Sequence, residues 1–102
     1  GAWELPQAVA AAVRVGRFDA IVALGCVIRG ETPHFDYVCM EASLGLGAVA
    51  RGASIPVAFG VLTTDDLEQA LARAGTGPDN KGFEAAISVL DMIAVYRSMG
   101  AI

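Results

Sequence analysis

An α/β layered fold with a parallel sheet is the expectation for this chain of 102 residues. Two short apolar runs, residues 20–26 and 57–62, lack the polar alternation of a half-exposed strand and read as parallel strands buried on both faces. Segments of helical spacing lie between and around them, as crossover connections between parallel strands require. The chain is 55% hydrophobic and only 18% charged. That is little charge for so short a domain to face water on every side.

Each element has its own signal. Residues 1–6, Gly-Ala-Trp-Glu-Leu-Pro, lead into an Ala-rich helix over residues 7–15. Pro6 suits its first turn and Gly16 a left-handed stop. Arg17, Phe18 and Asp19 make the turn before the first strand, and residues 27–33 form the loop after it. From His34, the residues Val38, Ala42, Leu46 and Val49 recur at helical spacing, and Gly52 ends that helix. Ile55 and Pro56 open the second strand. Asp65 and Glu68 then stand at capping-box spacing for a short helix ending near Arg73. Residues 74–80 form a Gly-rich turn, and residues 81–97 a last helix with Phe83, Ile87, Leu90 and Ala94 on one face.

No repeat, linker or low-complexity tract divides the chain, so residues 1–102 read as one domain. Two strands are too few to make a stable parallel domain with four helices. Further N-terminal strands and partner subunits are therefore expected to take up the remaining apolar surface.

Composition narrows the function. Seven basic and eleven acidic side chains leave a net charge of −4, without the basic stripe that a nucleic-acid partner calls for. The longest apolar run, residues 20–28, falls far short of the ~20 residues of a membrane span. Cys26 and Cys39 each sit among apolar residues. They read as buried thiols of a reducing compartment, which points to the cytoplasm.

Ligands of open parallel sheets bind at the carboxyl ends of the strands. Residues 26–35 and 59–65 lie there by the order above, and so do residues 1–4 if a strand precedes them. Gly30 and Thr32 precede a helix start, where free backbone N–H groups attract anions such as phosphate, or where an ordinary capped loop would serve. His34 is the only histidine, the residue type whose ordinary titration lies nearest neutrality. It could move protons for a substrate or be structural. Glu4 could hold hydroxyls or complement a helix dipole. Trp3 and Phe59 could stack on a heterocycle or fill core. Arg73 and Lys81 flank the Gly-rich turn and could bind an anion or stay solvated.

Taken in order, the segments Gly1-Ala2-Trp3-Glu4-Leu5-Pro6, Ala23-Leu24-Gly25-Cys26-Val27-Ile28-Arg29-Gly30-Glu31-Thr32-Pro33-His34-Phe35-Asp36, Phe59-Gly60-Val61-Leu62-Thr63-Thr64, Arg73-Ala74-Gly75 and Asn80-Lys81-Gly82 closely resemble the 6,7-dimethyl-8-ribityllumazine synthase family. The resemblance implies a flavodoxin-like three-layer sandwich of which this sequence holds the last two strands. It implies condensation of 5-amino-6-(D-ribitylamino)uracil with 3,4-dihydroxy-2-butanone 4-phosphate, without metal or cofactor.

Carried over by position, Ala2, Trp3 and Glu4 would line the pyrimidine and ribityl site. Trp3 stands where an aliphatic side chain or Phe is usual. Val27 and Ile28 would offer backbone groups to the uracil. Gly30, Glu31 and Thr32 would meet the phosphate, and His34 would transfer protons. Phe59, Arg73 and Lys81 would come from a neighbouring subunit, which implies a homo-oligomer built from pentamers. A non-catalytic flavin-binding or shell-forming scaffold of the same fold is the alternative. An archaeal-type riboflavin synthase is disfavoured by the Arg-Gly-Glu-Thr-Pro-His loop. Many relatives place a Lys in the turn before the last helix, where Gly77-Pro78-Asp79 stands here.

Overall fold

The computed structural model describes residues 1–102. A single 3-10 turn, Ala2–Glu4, runs into α1 (Leu5–Val15), followed by β1 (Ile21–Ile28), α2 (His34–Gly52), β2 (Val57–Thr64), α3 (Leu67–Ala74) and α4 (Lys81–Ser98). β1 and β2 pair in parallel from Ile21 opposite Val57 to Ile28 opposite Thr64. The helical crossover between them is the expected α/β connection. Gly16 stops α1 with φ of 74°, the left-handed conformation that glycine adopts without penalty.

The layers follow from strand alternation. On one face, Ala23 and Val61 pack with Val9 of α1 and Leu46 of α2, flanked by Leu5, Val13, Ile21, Val27 and Val49. On the other, Ala58 packs with Ala85 and Val89 of α4, flanked by Ala20, Val22 and Ile93. The sheet thus lies between α1 and α2 on one side and α4 on the other.

Several expectations need correction. β1 runs two residues further than its apolar run suggested, so Val27 and Ile28 are strand and not loop. The strands are not buried on both faces: Leu24 is 60% exposed and Phe59 47%. Cys26 is likewise exposed and Cys39 only half-buried. Partial burial and the nearby Asp36 push the Cys39 thiol up. The cause of the exposure is the sheet's width, because two strands leave an open edge on each side.

α4 buries the stripe opposite the apolar face that its spacing marked. Phe83 is 63% exposed and Leu90 60%, whereas Ala85 and Val89 are buried. Small residues decide this. A Cβ on Gly60 would come within 3.3 Å of Ala85 Cβ, so α4 approaches β2 closely along its small side and turns its bulky side outward. At α3 the cap is Asp66, whose carboxylate accepts from Gln69 N at 2.8 Å, while Gln69 Oε1 accepts from Asp65 N at 2.8 Å. The cap is therefore Asp66, one residue later than Asp65, and Gln69 rather than Glu68 reaches back, to the residue before the cap.

Gly45 marks a close approach of α2 to α1. A Cβ there would stand 2.7 Å from Pro6 Cγ and 2.9 Å from Pro6 Cβ, and the Pro6 ring cannot swing aside. Helix propensity alone favours Gly45→Ala by about 1 kcal/mol. Overpacking costs about 1–3 kcal/mol. We expect a net loss of stability, read as a lowered melting temperature; a raised one would show that the helices separate at no cost.

Surface completes the picture. The chain exposes 6520 Å², where a compact protein of its mass exposes roughly 5400 Å². Its radius of gyration is 14.4 Å, against about 12.8 Å for a compact chain of this length. Much of the excess is apolar, including Leu24, Tyr37, Met40, Leu44, Phe83 and Leu90. No helix is long and apolar enough to cross a membrane.

Candidate active site

Two clefts gather most of the residues singled out from sequence. The first, of about 350 Å³, lies between the N-terminal turn and the start of α2, lined by Gly1, Ala2, Trp3, Glu4, His34 and Val38. The Ala2–Glu4 turn brings its three residues there, and α2 opens on His34. Glu4 Oε1 lies 3.1 Å from the Gly1 nitrogen. The second cleft, of about 340 Å³, runs along β2 and is lined by Phe59, Gly60, Thr63, Arg73, Lys81, Glu84 and Ser88 among others.

No residue lines both clefts. One chain therefore separates the group holding His34 and Glu4 from the group holding Phe59, Arg73 and Lys81. Arg73 gives one Nη1 hydrogen bond, 2.9 Å, to Gln69 O of its own helix. It has no carboxylate partner. Lys81 Nζ instead lies 3.1 Å from Glu84 Oε2.

The loop between β1 and α2 lines neither cleft. Gly30, Glu31, Thr32 and Pro33 are all exposed, and Thr32 Oγ1 accepts a long bond, 3.4 Å, from His34 N. At the two ends of the pairing, Ile21 N donates to Pro56 O, just before β2, and Arg29 N, just after β1, donates to Thr64 O. By the two-residue period Val27 shares that orientation, and Ile28 turns its backbone groups to the open edge of β1. Ile28 is thus the better placed of the two to offer main-chain groups to a ligand.

A model of the 6,7-dimethyl-8-ribityllumazine synthase family matches residues 1–97. The chain belongs to that family. A relative in Chlorobium phaeobacteroides (strain DSM 266 / SMG 266 / 2430), named 6,7-dimethyl-8-ribityllumazine synthase, is 56% identical over 97 residues. The alignment covers 95% of this chain and 63% of the relative. This chain thus spans less than two thirds of that lumazine synthase's length.

Three residues escaped sequence reasoning. Glu84 and Ser88 line the second cleft, and their spacing from Lys81 puts all three on one face of α4, a signal that helical geometry could have supplied. Arg29 is the third. It stands inside the family's most specific stretch, but its partners Asp36 and Asp65 are remote or unremarkable in sequence.

Proposed function

We propose that this protein is a transferase that condenses 5-amino-6-(D-ribitylamino)uracil with 3,4-dihydroxy-2-butanone 4-phosphate. The product is 6,7-dimethyl-8-ribityllumazine, with release of phosphate and water, in the penultimate step of riboflavin biosynthesis. The supporting observation is that the family match runs over residues 1–97 while Glu4, His34, Arg73 and Lys81 all stand on cleft walls.

The chemistry assigns each group a task. Glu4 accepts hydrogen bonds from ribityl hydroxyls, and Ala2 and Trp3 form the wall beside the pyrimidine. Backbone groups of Val27 and Ile28 meet the uracil edge. Gly30, Glu31 and Thr32 receive the phosphate through backbone N–H groups and the Thr32 hydroxyl. His34 moves protons as the amine and ketone form an imine, phosphate leaves and the second ring closes. Phe59, Arg73 and Lys81 reach this site from a neighbouring copy, with Arg73 as a forked donor to phosphate.

The separation of the two clefts on one chain favours a site completed between copies. The excess surface of roughly 1100 Å² over a compact monomer is of the order that one partner buries in a stable interface. A pentamer, or a multiple of pentamers, in the cytoplasm is the assembly this reading calls for. Retention of four polar site groups disfavours a scaffold without catalysis.

The natural protein, supplied with both substrates, is expected to form the lumazine at an unchanged rate in the presence of a chelator. A metal requirement would contradict the mechanism. Flavin binding without turnover would establish the scaffold reading instead.

A further inference from the structure

The loop proposed to receive phosphate has little of its own to hold it. Residues 30–33 are exposed, and a Cβ on Gly30 would meet no atom within 4 Å. Segments with so few contacts open readily. Yet donors that bind an anion well are ordered before it arrives.

Arg29 brackets this loop. Its backbone N–H donates to Thr64 O at 2.8 Å, continuing the strand ladder. Its Nε donates to Asp65 Oδ1 at 3.0 Å and its Nη1 to Asp36 Oδ1 at 3.4 Å. The guanidinium also lies 4.4 Å from the centroid of the Phe35 ring. Phe35 is buried, and Phe35 and Asp36 follow His34 in the first turn of α2. Asp65 lies between β2 and α3, the helix that carries Arg73. One side chain thereby joins the entry of the loop, its exit and the adjoining strand end.

Each exposed ion pair alone contributes little. A planar fork that also stacks on a ring fixes direction as well as distance, which an ammonium does not. The hydrogen bond to Asp65 raises the Arg29 pKa, and a guanidinium is charged at working pH in any case. Its charge is already committed to two carboxylates.

We propose that Arg29 is a positioning residue that holds residues 30–33 in their anion-receiving shape. The proposal rests on the reading of that loop as a phosphate site. It is tested in the full-length natural protein with inorganic phosphate as the probe, by hydrogen exchange of the peptide spanning residues 29–36 and by steady-state kinetics.

Arg29→Ala is expected to speed exchange in that peptide and weaken phosphate binding about 10-fold. It should raise the KM for the phosphate co-substrate by a similar factor and leave the KM for the pyrimidine within about 2-fold. Arg29→Lys should restore little. Asp65→Ala distinguishes a tether from a charge: loss of the tether weakens phosphate binding, whereas freeing a nearby cation would tighten it. Tighter binding in Asp65→Ala, or full rescue by Arg29→Lys, overturns the proposal.

Phosphate that fails to protect the peptide in the unsubstituted protein overturns the loop reading and this proposal with it. Equal protection in the unsubstituted and Arg29→Ala proteins overturns the proposal alone. Should Arg29→Ala fail to assemble, Asp65→Ala carries the same test, because it removes one tether and no cation.

Discussion

Arg73→Ala is expected to raise the KM for the butanone phosphate by about 10- to 100-fold, the range for losing a hydrogen bond to a charged group. The chain carries a net charge of −4, so an anionic substrate needs local cations to offset repulsion. Arg73 is suited to this. It has no carboxylate partner and commits a single bond to Gln69 O, whereas Lys81 is already paired with Glu84. The KM for the pyrimidine should change far less. Arg73→Lys should fall between, because an ammonium keeps the charge and loses the fork. Equal effects on both substrates would remove Arg73 from the phosphate role.

His34→Ala should lower kcat by up to about 10²-fold, the lower part of the range for assisted proton transfer. His34 opens α2 with an exposed ring beside Trp3 and Glu4 and takes no part in either core cluster. The folded state should hardly be affected, so melting temperature serves as the control. An unchanged kcat would leave His34 without a chemical role.

The two variants together also test where the site lies. If each site takes His34 from one copy and Arg73 from the next, mixed assemblies made from equal amounts of the two variants restore about one intact site in four. If both residues serve one site within a single chain, mixing restores nothing.

Much of this was legible in the chain itself. Apolar runs without alternation identified both strands, and the spacing of Val38, Ala42, Leu46 and Val49 marked the inward side of α2, on which Ala42 and Leu46 are buried and the two valines half-buried. Helix stops and starts at Gly16 and Lys81 were equally plain. The proposed site was legible through motif more than through periodicity. Spacing alone left Gly30, Thr32 and His34 open between a capped loop and an anion site.

Errors arose where two answers satisfied the same local rule. α4 carries an apolar stripe of large residues, Phe83, Ile87 and Leu90, and another of small ones, Ala85 and Val89. Both have helical period. The sequence reading marked only the first, but proximity to Gly60 selected the second. Strand burial failed for a related reason, since an apolar run shows that a strand can be covered and says nothing of how many neighbours cover it.

The sequence by itself determined the element types, their order, the parallel pairing and the family. These depend on neighbours within a few residues or on contiguous motifs. The tertiary structure alone decided which stripe of α4 faces the sheet, that Glu4 and His34 stand on one cleft while Phe59, Arg73 and Lys81 stand on another, and that Arg29 reaches both Asp36 and Asp65. Those outcomes depend on contacts between groups 7 to 36 residues apart or more. No local period encodes such contacts; they are set only when close-packed layers bring the segments together.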